Sequence, residues 1–164
     1  MRYGLIADTH GAFHPGLADV FAGVTEILHA GDVGSPGVLD QLEALAPVIA
    51  VQGNMDGAPA LARLPERRVL EREGRRIALL HGHLVRAARP AELLAATRDA
   101  RPDLVVFGHT HEPLHEELEG VVFFNPGAAC KPRFGSRPMV GILQIDAGGL
   151  RVTHRELPLP WPAR

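Results

Sequence analysis

Five short apolar segments of the chain are each followed closely by aspartate, asparagine or histidine. The segments are RYGLIA (2–7), EILHA (26–30), PVIAVQ (47–52), IALL (77–80) and DLVVF (103–107). Their length and apolar composition are typical of buried β-strands. Helical patterns stand between several of them, and this strand–helix–strand alternation predicts a parallel sheet. We therefore expect the polar endings at the carboxyl ends of parallel strands.

The polar residues after these segments share one property, which is that each can bind a metal ion. They are Asp8, His10, Asp32, Asn54, His81, His109 and His111. A single aspartate or asparagine after a strand is usually a turn former, and a single buried histidine is usually a hydrogen-bonded core residue. Turn chemistry would draw on serine, proline and lysine as freely as on histidine, so it does not explain five such endings. Ligands of open α/β sheets bind at the carboxyl ends of strands, and we predict a metal site there, on one edge of one sheet.

The remaining segments predict the rest of the fold. Helices are predicted at 16–22, 35–46 and 89–100, and the second of these has Ser35 as a possible cap and Pro36 as its first residue. In the last third of the chain, short runs with glycine turns predict antiparallel hairpins. These runs lie at 114–120, 121–125, 139–146 and 150–157. An earlier hairpin is expected from the runs at 67–73 and 75–80, which flank Gly74. Together these elements predict two sheets packed face to face with helices outside, in a single domain over 1–157 with a proline-rich tail at 158–164.

The donor set indicates two transition-metal ions. It contains carboxylates, an amide and imidazoles but no thiolate, which suits Mn²⁺, Fe²⁺, Ni²⁺, Co²⁺ or Zn²⁺ better than Ca²⁺ or a structural zinc site. The ligands are too many for one ion and enough for two. Two divalent ions outweigh the charge of Asp8, Asp32 and a bridging hydroxide, so the site should attract an anion. Ions about 3.5–4 Å apart generate hydroxide at neutral pH and bind both the attacking and the leaving oxygen of a displacement at phosphorus.

The order of these motifs resembles that of one known protein family. The pattern D-x-H, GD, GN, H and GHTH is similar to that of the calcineurin-like metallophosphoesterase superfamily. The short length and the motifs HAGD (29–32), HGH (81–83) and NPG (125–127) resemble its small YfcE-like phosphodiesterase branch, to which the retromer scaffold subunit is also similar. The resemblance runs from residue 5 to about 145. It implies an α/β fold, a four-layer α/β/β/α sandwich of two mixed sheets flanked by helices.

The resemblance also implies a role for each ligand. Asp8, His10 and His111 hold the first ion, Asn54, His81 and His109 hold the second, and Asp32 bridges the two. Mn²⁺ is the expected metal, with Ni²⁺, Fe²⁺, Zn²⁺ and Co²⁺ as alternatives. The implied activity is hydrolysis of a small phosphoester, a phosphodiester in the first place, by a hydroxide generated at the ions. Two alternatives stay open, a phosphomonoesterase and a catalytically weak scaffold protein of the same fold.

One departure from the family pattern concerns the leaving group. Many relatives have histidine after the asparagine of GN, or cysteine in the small branch, where that residue protonates or steadies the leaving group. Here Met55 follows Asn54, and a thioether cannot donate a proton. Another acid is then expected, unless the leaving group needs none, and Asp56, His83 and His14 are the candidates. We assign catalytic roles to Asn54, Asp56 and His83.

A second departure lies in the NPG motif. Relatives have NPGS where this chain has NPGA, so Ala128 lacks a hydroxyl group. Lys131 or Arg133 could reach a phosphate instead, although a solvated loop charge is the more common case.

Composition argues against several other function classes. The formal net charge is −2, which provides no electrostatic platform for nucleic acid or an anionic membrane. The arginine-rich stretch 63–76 contains interleaved glutamates and favours a charged hairpin that blocks edge pairing.

Cys130 lacks the arginine spacing of a cysteine phosphatase, and no phosphate-binding P-loop motif is present. No apolar run could span a bilayer and no signal-peptide pattern begins the chain, so we expect a cytoplasmic protein. Assembly into a homodimer or a larger homo-oligomer stays open.

Overall fold

Strands make up most of the structure, and the helices that connect them are short. The structure, a computed structural model, describes residues 1–133 and 135–159. The strands are β1 (Arg2–Ile6), β2 (Glu26–His29), β3 (Val48–Ala50), β4 (Arg67–Arg72), β5 (Arg75–Leu80), β6 (Leu104–Val106), β7 (Leu114–Leu118), β8 (Val121–Asn125), β9 (Met139–Asp146) and β10 (Gly149–Glu156). The helices are α1 (Leu17–Val20), α2 (Pro36–Glu43) and α3 (Pro90–Thr97), with 3₁₀ turns at Leu61–Arg63 and Arg98–Ala100.

The strands form two mixed sheets. The first sheet has the order β10-β9-β1-β2-β3, and the second has the order β4-β5-β6-β8-β7. Each sheet contains three adjacent parallel strands, β1, β2 and β3 in the first and β5, β6 and β8 in the second. Antiparallel strands complete both sheets. The loops that carry the polar motifs therefore follow the carboxyl ends of these six parallel strands.

Side-chain alternation along the strands produces three apolar interfaces and hence four layers. On β1, Leu5 packs between the two sheets, whereas its neighbour Ile6 packs under α1 and α2. On β5, Leu79 packs between the sheets, whereas Ala78 packs under α3. Since neighbouring residues of a strand point to opposite faces, strands that are apolar on both faces must be covered on both. The predicted α/β/β/α sandwich of two mixed sheets flanked by helices is confirmed.

One detail of the predicted topology is wrong. The predicted ligands follow strands of both sheets and not of one, because the β4–β5 hairpin begins a second sheet partway along the ligand series. The antiparallel hairpins predicted for the last third are present as β7–β8 and β9–β10, and β8 also pairs with β6 in parallel. The run VVFFN of β8 carries apolar side chains on both faces, which is typical of a strand covered on both sides.

The helices begin near the predicted residues but are shorter than predicted. Pro36 opens α2 as expected, with Ser35 in an extended conformation before it, but the helix ends at Glu43. The arginine-rich stretch forms the predicted hairpin, and Arg72 is ion-paired with Glu26 of β2 at 2.9 Å. Leu157 is buried at the end of the predicted domain, and residues 160–164 of the predicted tail lie outside the described residues. Within the described ranges, no helix is long and apolar enough to cross a membrane.

Candidate metal centre

The loops that carry the predicted ligands have an unusual backbone. Five of these residues have a positive φ angle, a conformation that non-glycine residues rarely adopt. They are Asp8 (54°), His10 (49°), Asp32 (53°), His109 (71°) and His111 (62°). Such strain clusters at functional sites, where the surrounding structure enforces it. Here the left-handed turns redirect the chain at the strand ends, and the ligand side chains of different loops come together.

Glycines beside the ligands allow these loops to approach each other closely. A Cβ atom at Gly108 would lie 2.8 Å from Ala7 Cβ and 2.9 Å from Asp8 Oδ2. A Cβ atom at Gly53 would overlap the backbone nitrogen and the carboxylate of Asp32. Gly108 and Gly53 are therefore required by the close approach of the loops that carry Asp8 and Asp32.

Four of the predicted ligands form one tight cluster. Ligand atoms of Asp8, His10, Asp32 and His111 all lie within 4.8 Å of one another. His111 Nε2 lies 3.0 Å from His10 Nε2 and 3.3 Å from Asp8 Oδ1. His10 Nε2 lies 3.7 Å from Asp32 Oδ2. These residues could hold a divalent cation with two carboxylates and two imidazoles.

The other three predicted ligands are connected to this cluster through Asp32. His81 Nε2 is 3.4 Å from Asp32 Oδ2, the same oxygen that faces His10. The ring of His109 stands edge-on to that of His81 at a centroid distance of 5.2 Å. His109 Nδ1 lies 3.1 Å from Asn54 Oδ1. Asp32 thus stands between two groups of donors, and the structure brings together all seven predicted ligands.

Hydrogen bonds to backbone carbonyls fix the orientation of two imidazoles. His81 Nδ1 lies 2.8 Å from the Ala30 carbonyl oxygen, and His111 Nδ1 lies 2.7 Å from the Lys131 carbonyl oxygen. A carbonyl oxygen only accepts, so Nδ1 carries the proton in both rings. In the neutral rings, Nε2 then presents a lone pair to the cluster. This arrangement is typical of metal-binding histidines, whose second nitrogen is held by an outer hydrogen bond.

The electrostatics of the cluster favour a bound cation. Among the described residues, Asp8 Oδ1 and His81 Nε2 are buried atoms without a hydrogen-bond partner, and both face the cluster. Burial raises the pKa of Asp8 to about 7 and lowers the pKa of His10 and of His111. Burial alone would also raise the pKa of Asp32, but the neighbouring His81 and the Met55 N–H bring it down to about 2. Buried carboxylate and imidazole groups of this kind are stabilised by a divalent ion, and the donor set fits one.

The cluster opens to solvent through a cleft of about 680 Å³. Met55 lines this cleft and is 61% exposed, and its backbone N–H donates to Asp32 Oδ1 at 2.8 Å. The cleft is also lined by Lys131, Arg133 and Glu112. A phosphoester that entered it would meet the ligand cluster at the base and these side chains at the rim.

The three candidate acids from the sequence have different surroundings. Asp56 is buried, and its two oxygens accept N–H bonds from Gly34 and Gly53 at 2.8 Å each, which is the geometry of a loop-positioning carboxylate. His14 Nε2 donates to the Pro158 carbonyl oxygen at 3.1 Å, so His14 belongs to the contact with the C-terminal segment. His83 lies beside a predicted ligand, with its ring centroid 5.5 Å from that of His81.

Sequence reasoning missed a residue that holds the GHTH loop. Asn125 is fully buried, and its amide nitrogen donates to the Gly108 carbonyl oxygen at 2.9 Å and to Thr110 Oγ1 at 3.1 Å. Its amide oxygen accepts from the Gly127 N–H at 2.9 Å. Asn125 ends β8, the sixth parallel strand, so the rule that found the ligands would also have found it.

A buried hydrogen-bond chain also escaped the sequence reasoning, and it lies behind the first ligands. His29 Nδ1 accepts from the Gly31 N–H at 3.2 Å, so Nε2 carries the proton and donates to Thr9 Oγ1 at 3.0 Å. Thr9 Oγ1 in turn donates to the Val33 carbonyl oxygen at 3.0 Å. The pKa of His29 falls to about 3 through burial, so this ring is neutral. These hydrogen bonds connect the loop after β1 to the loop after β2.

Comparisons with known proteins agree with this architecture. The chain is 39% identical over 151 residues to a probable metallophosphoesterase of Methanothermobacter thermautotrophicus, covering 89% of this chain and 87% of the relative. It is 31% identical over 170 positions to the phosphodiesterase YfcE of Escherichia coli, covering 89% of each. The structure of wild-type Vps29 of Entamoeba histolytica complexed with Zn²⁺ superimposes with a TM-score of 0.77 at 25% identity, covering 95% of this chain and 99% of that one.

The family model that matches spans most of the chain. It describes the calcineurin-like phosphoesterase superfamily domain and matches residues 1–148, which include every predicted ligand. The resemblance deduced from the motifs is thereby confirmed, and the chain belongs to the calcineurin-like phosphoesterase superfamily.

Proposed function

We propose that the protein is a phosphodiesterase that requires two divalent metal ions. The observation that carries this proposal is the position of Asp32, whose Oδ2 faces His10 of one donor group and His81 of the other. A carboxylate between two sets of nitrogen and oxygen donors suits a dinuclear site better than a mononuclear one. The name of the related E. coli phosphodiesterase supports the choice of a diester substrate.

The ligands divide between the two ions as the family resemblance implies. Asp8, His10 and His111 would hold one ion, Asn54, His81 and His109 would hold the other, and Asp32 would contribute to both. Mn²⁺ is the proposed native metal. When bound, such ions supply positive charge at the phosphoryl oxygens and lower the pKa of a water molecule toward neutrality.

The residues around the cleft define what the protein itself adds. The Met55 side chain is exposed at the cleft but has no proton to donate, so the protein lacks a general acid at the position where many relatives have one. Asp56 accepts two backbone N–H bonds, and we therefore propose that it positions the loop of Asn54 rather than donating a proton. His83 stays a candidate for contact with substrate, since it lies beside His81. A substrate with a good leaving group fits this site best.

The test combines metal analysis with two assays. Protein stripped with a chelator is titrated with Mn²⁺, Ni²⁺, Fe²⁺, Co²⁺ and Zn²⁺ in separate experiments, and the bound stoichiometry is measured by calorimetry and elemental analysis. Hydrolysis of bis-p-nitrophenyl phosphate and of p-nitrophenyl phosphate is then compared. We expect two ions per chain and faster hydrolysis of the diester. A stoichiometry of one, or a preference for the monoester, would contradict the proposal.

A matched pair of variants separates metal binding from general effects of losing a histidine. His111→Asn removes a ligand, whereas His115→Asn removes an exposed histidine of β7 outside the cluster. We expect only the first to lose metal affinity and activity. Wild-type activity in His111→Asn would contradict the assignment of His111 as a ligand. If the wild type binds metal but hydrolyses neither substrate, a scaffold function would gain support, since several similar structures are of Vps29.

A further inference from the structure

The cleft is much larger than a single phosphate group requires. Its volume is about 680 Å³, within the range of about 300–1,000 Å³ that accommodates a whole small-molecule ligand. The ligand cluster lies at the base, where Asp8 and Asp32 are buried. Most of the cleft therefore faces the parts of the substrate that extend beyond the scissile phosphate.

Two cationic side chains line that outer part. Lys131 and Arg133 are both exposed on the loop that follows the NPG motif. Across residues 1–133 and 135–159, neither has a carboxylate within 4.0 Å, whereas Arg137 farther along the same loop is ion-paired with Glu156 at 3.2 Å. Glu112 also lines the cleft and offsets part of the positive charge. The two side chains are available to bind an anionic group of a ligand.

The loop that carries these cations is fixed relative to the ligand cluster. The Lys131 carbonyl oxygen accepts a 2.7 Å hydrogen bond from His111 Nδ1, so a metal ligand and the rim loop are directly connected. The Arg133 carbonyl oxygen accepts a hydrogen bond from the Ser136 N–H at 3.0 Å. Lys131 and Arg133 line the same cleft as His10 and His111 of the ligand cluster.

The scissile phosphate does not need these cations for charge balance. Under the proposed function, two divalent ions already exceed the two carboxylate charges of Asp8 and Asp32, and a phosphodiester brings a single negative charge. We propose that Lys131 and Arg133 form a subsite for a second anionic group, so that the preferred substrate is a phosphodiester that also carries a separate phosphate. This inference rests on the proposed function and specifies its substrate class.

A matched pair of substrates tests the inference. One is the p-nitrophenyl ester of thymidine 5′-phosphate, and the other is the same ester with an additional 3′-phosphate. In both, water attacks the 5′-phosphorus, the bond from phosphorus to the aryl oxygen breaks, and p-nitrophenolate leaves with thymidine 5′-phosphate or its 3′-phosphorylated form. The two substrates share the leaving group, so a difference in kcat/KM reports the second phosphate.

We expect the 3′-phosphate to raise kcat/KM by about tenfold, mainly through a lower KM, as a charge-assisted contact would. In Arg133→Ala and in Lys131→Ala this ratio should fall toward one, whereas Arg137→Ala should keep it, since Arg137 is already paired with Glu156. Thermal melting of each variant with metal bound checks that the fold is retained. Inhibition of bis-p-nitrophenyl phosphate hydrolysis by thymidine 3′,5′-bisphosphate and by thymidine 5′-phosphate gives an independent measure of the same preference.

The outcomes separate this inference from the proposed function. Hydrolysis of both esters with equal kcat/KM would overturn the subsite and leave the phosphodiesterase activity standing. A ratio unchanged in Arg133→Ala and Lys131→Ala would also overturn it. If neither ester nor bis-p-nitrophenyl phosphate is hydrolysed with any of the five metals, both proposals fail together.

Discussion

Replacing Asp8 with asparagine should stabilise the metal-free protein. Asp8 is completely buried, and its Oδ1 lacks a hydrogen-bond partner among the described residues while lying 3.3 Å from His111 Nε2. An asparagine amide nitrogen at that position could donate to the His111 lone pair, and the amide oxygen could still accept from the His109 N–H. Asparagine also tolerates the positive φ of 54° at this position. The substitution therefore removes a buried charge without disturbing the loop.

The pKa of Asp8 determines the size and the pH dependence of this effect. Burial raises the pKa from 3.8 to about 7. Between these values the folded protein binds more protons than the unfolded chain, so the metal-free wild type loses stability as the pH rises and carries the full penalty above the folded pKa. With ~1.4 kcal/mol per pKa unit, the penalty is about 4 kcal/mol at pH 8 and below about 2 kcal/mol at pH 5. We expect Asp8→Asn to recover much of this penalty, and to recover more of it at pH 8.

Urea unfolding in the presence of a chelator measures this effect directly. The free energy of unfolding is compared between wild type and Asp8→Asn at pH 5 and at pH 8, with Asp40→Asn on the exposed face of α2 as the control. With saturating Mn²⁺ the order should reverse, because the wild type gains binding energy that the variant has lost. A variant that is less stable than wild type at pH 8 without metal, or equally stabilised at both pH values, would refute the reasoning.

Three further predictions concern the site and its support. Asp32→Asn should lower metal affinity by at least about 100-fold and abolish most activity, because the Asp32 carboxylate faces both donor groups. Calorimetry measures the metal affinity, and circular dichroism should show that the fold survives. Met55→His should reduce the slope of log kcat against leaving-group pKa, because it should raise kcat for alkyl esters by about tenfold to 100-fold at most. Parallel plots for wild type and variant would show that residue 55 lies away from the leaving group. Asn125→Asp should weaken metal binding by about 10–100-fold, since an ionised carboxylate cannot donate to Gly108 or Thr110. An unchanged metal affinity in calorimetry would rule out a positioning role for Asn125.

The proximity of the candidate ligands could be predicted because the signal that selects them is local. Each ligand stands a few residues after an apolar run, so strand periodicity and residue type identify Asp8, Asp32 and His81 without knowledge of the partner strands. The neighbouring glycines also indicate where loops approach each other, since the close approach of Gly53 to Asp32 leaves no room for a side chain. Local patterns of this kind are retained in a single sequence.

The pairing of distant strands could not be predicted in the same way. Nothing in the run VVFFN specifies that β8 lies beside β6, because a strand that is apolar on both faces fits any covered position in a parallel sheet. The division of the ligands between two sheets was missed for the same reason. Side-chain hydrogen bonds were equally hidden, since nothing in the sequence indicates that the Asp56 carboxylate accepts two backbone N–H bonds.

The left-handed backbone at five ligand positions restricts which sequences this loop architecture can accept. Aspartate, asparagine and histidine enter that region more readily than other non-glycine residues, and β-branched residues are nearly excluded from it. A single substitution from aspartate or histidine to asparagine therefore removes a charge or a strong donor and leaves the turn intact. Metal binding can be weakened one ligand at a time while the sandwich and its surface persist. Few substitutions therefore separate an enzyme from a binding protein of the same shape, and each intermediate variant would stay folded.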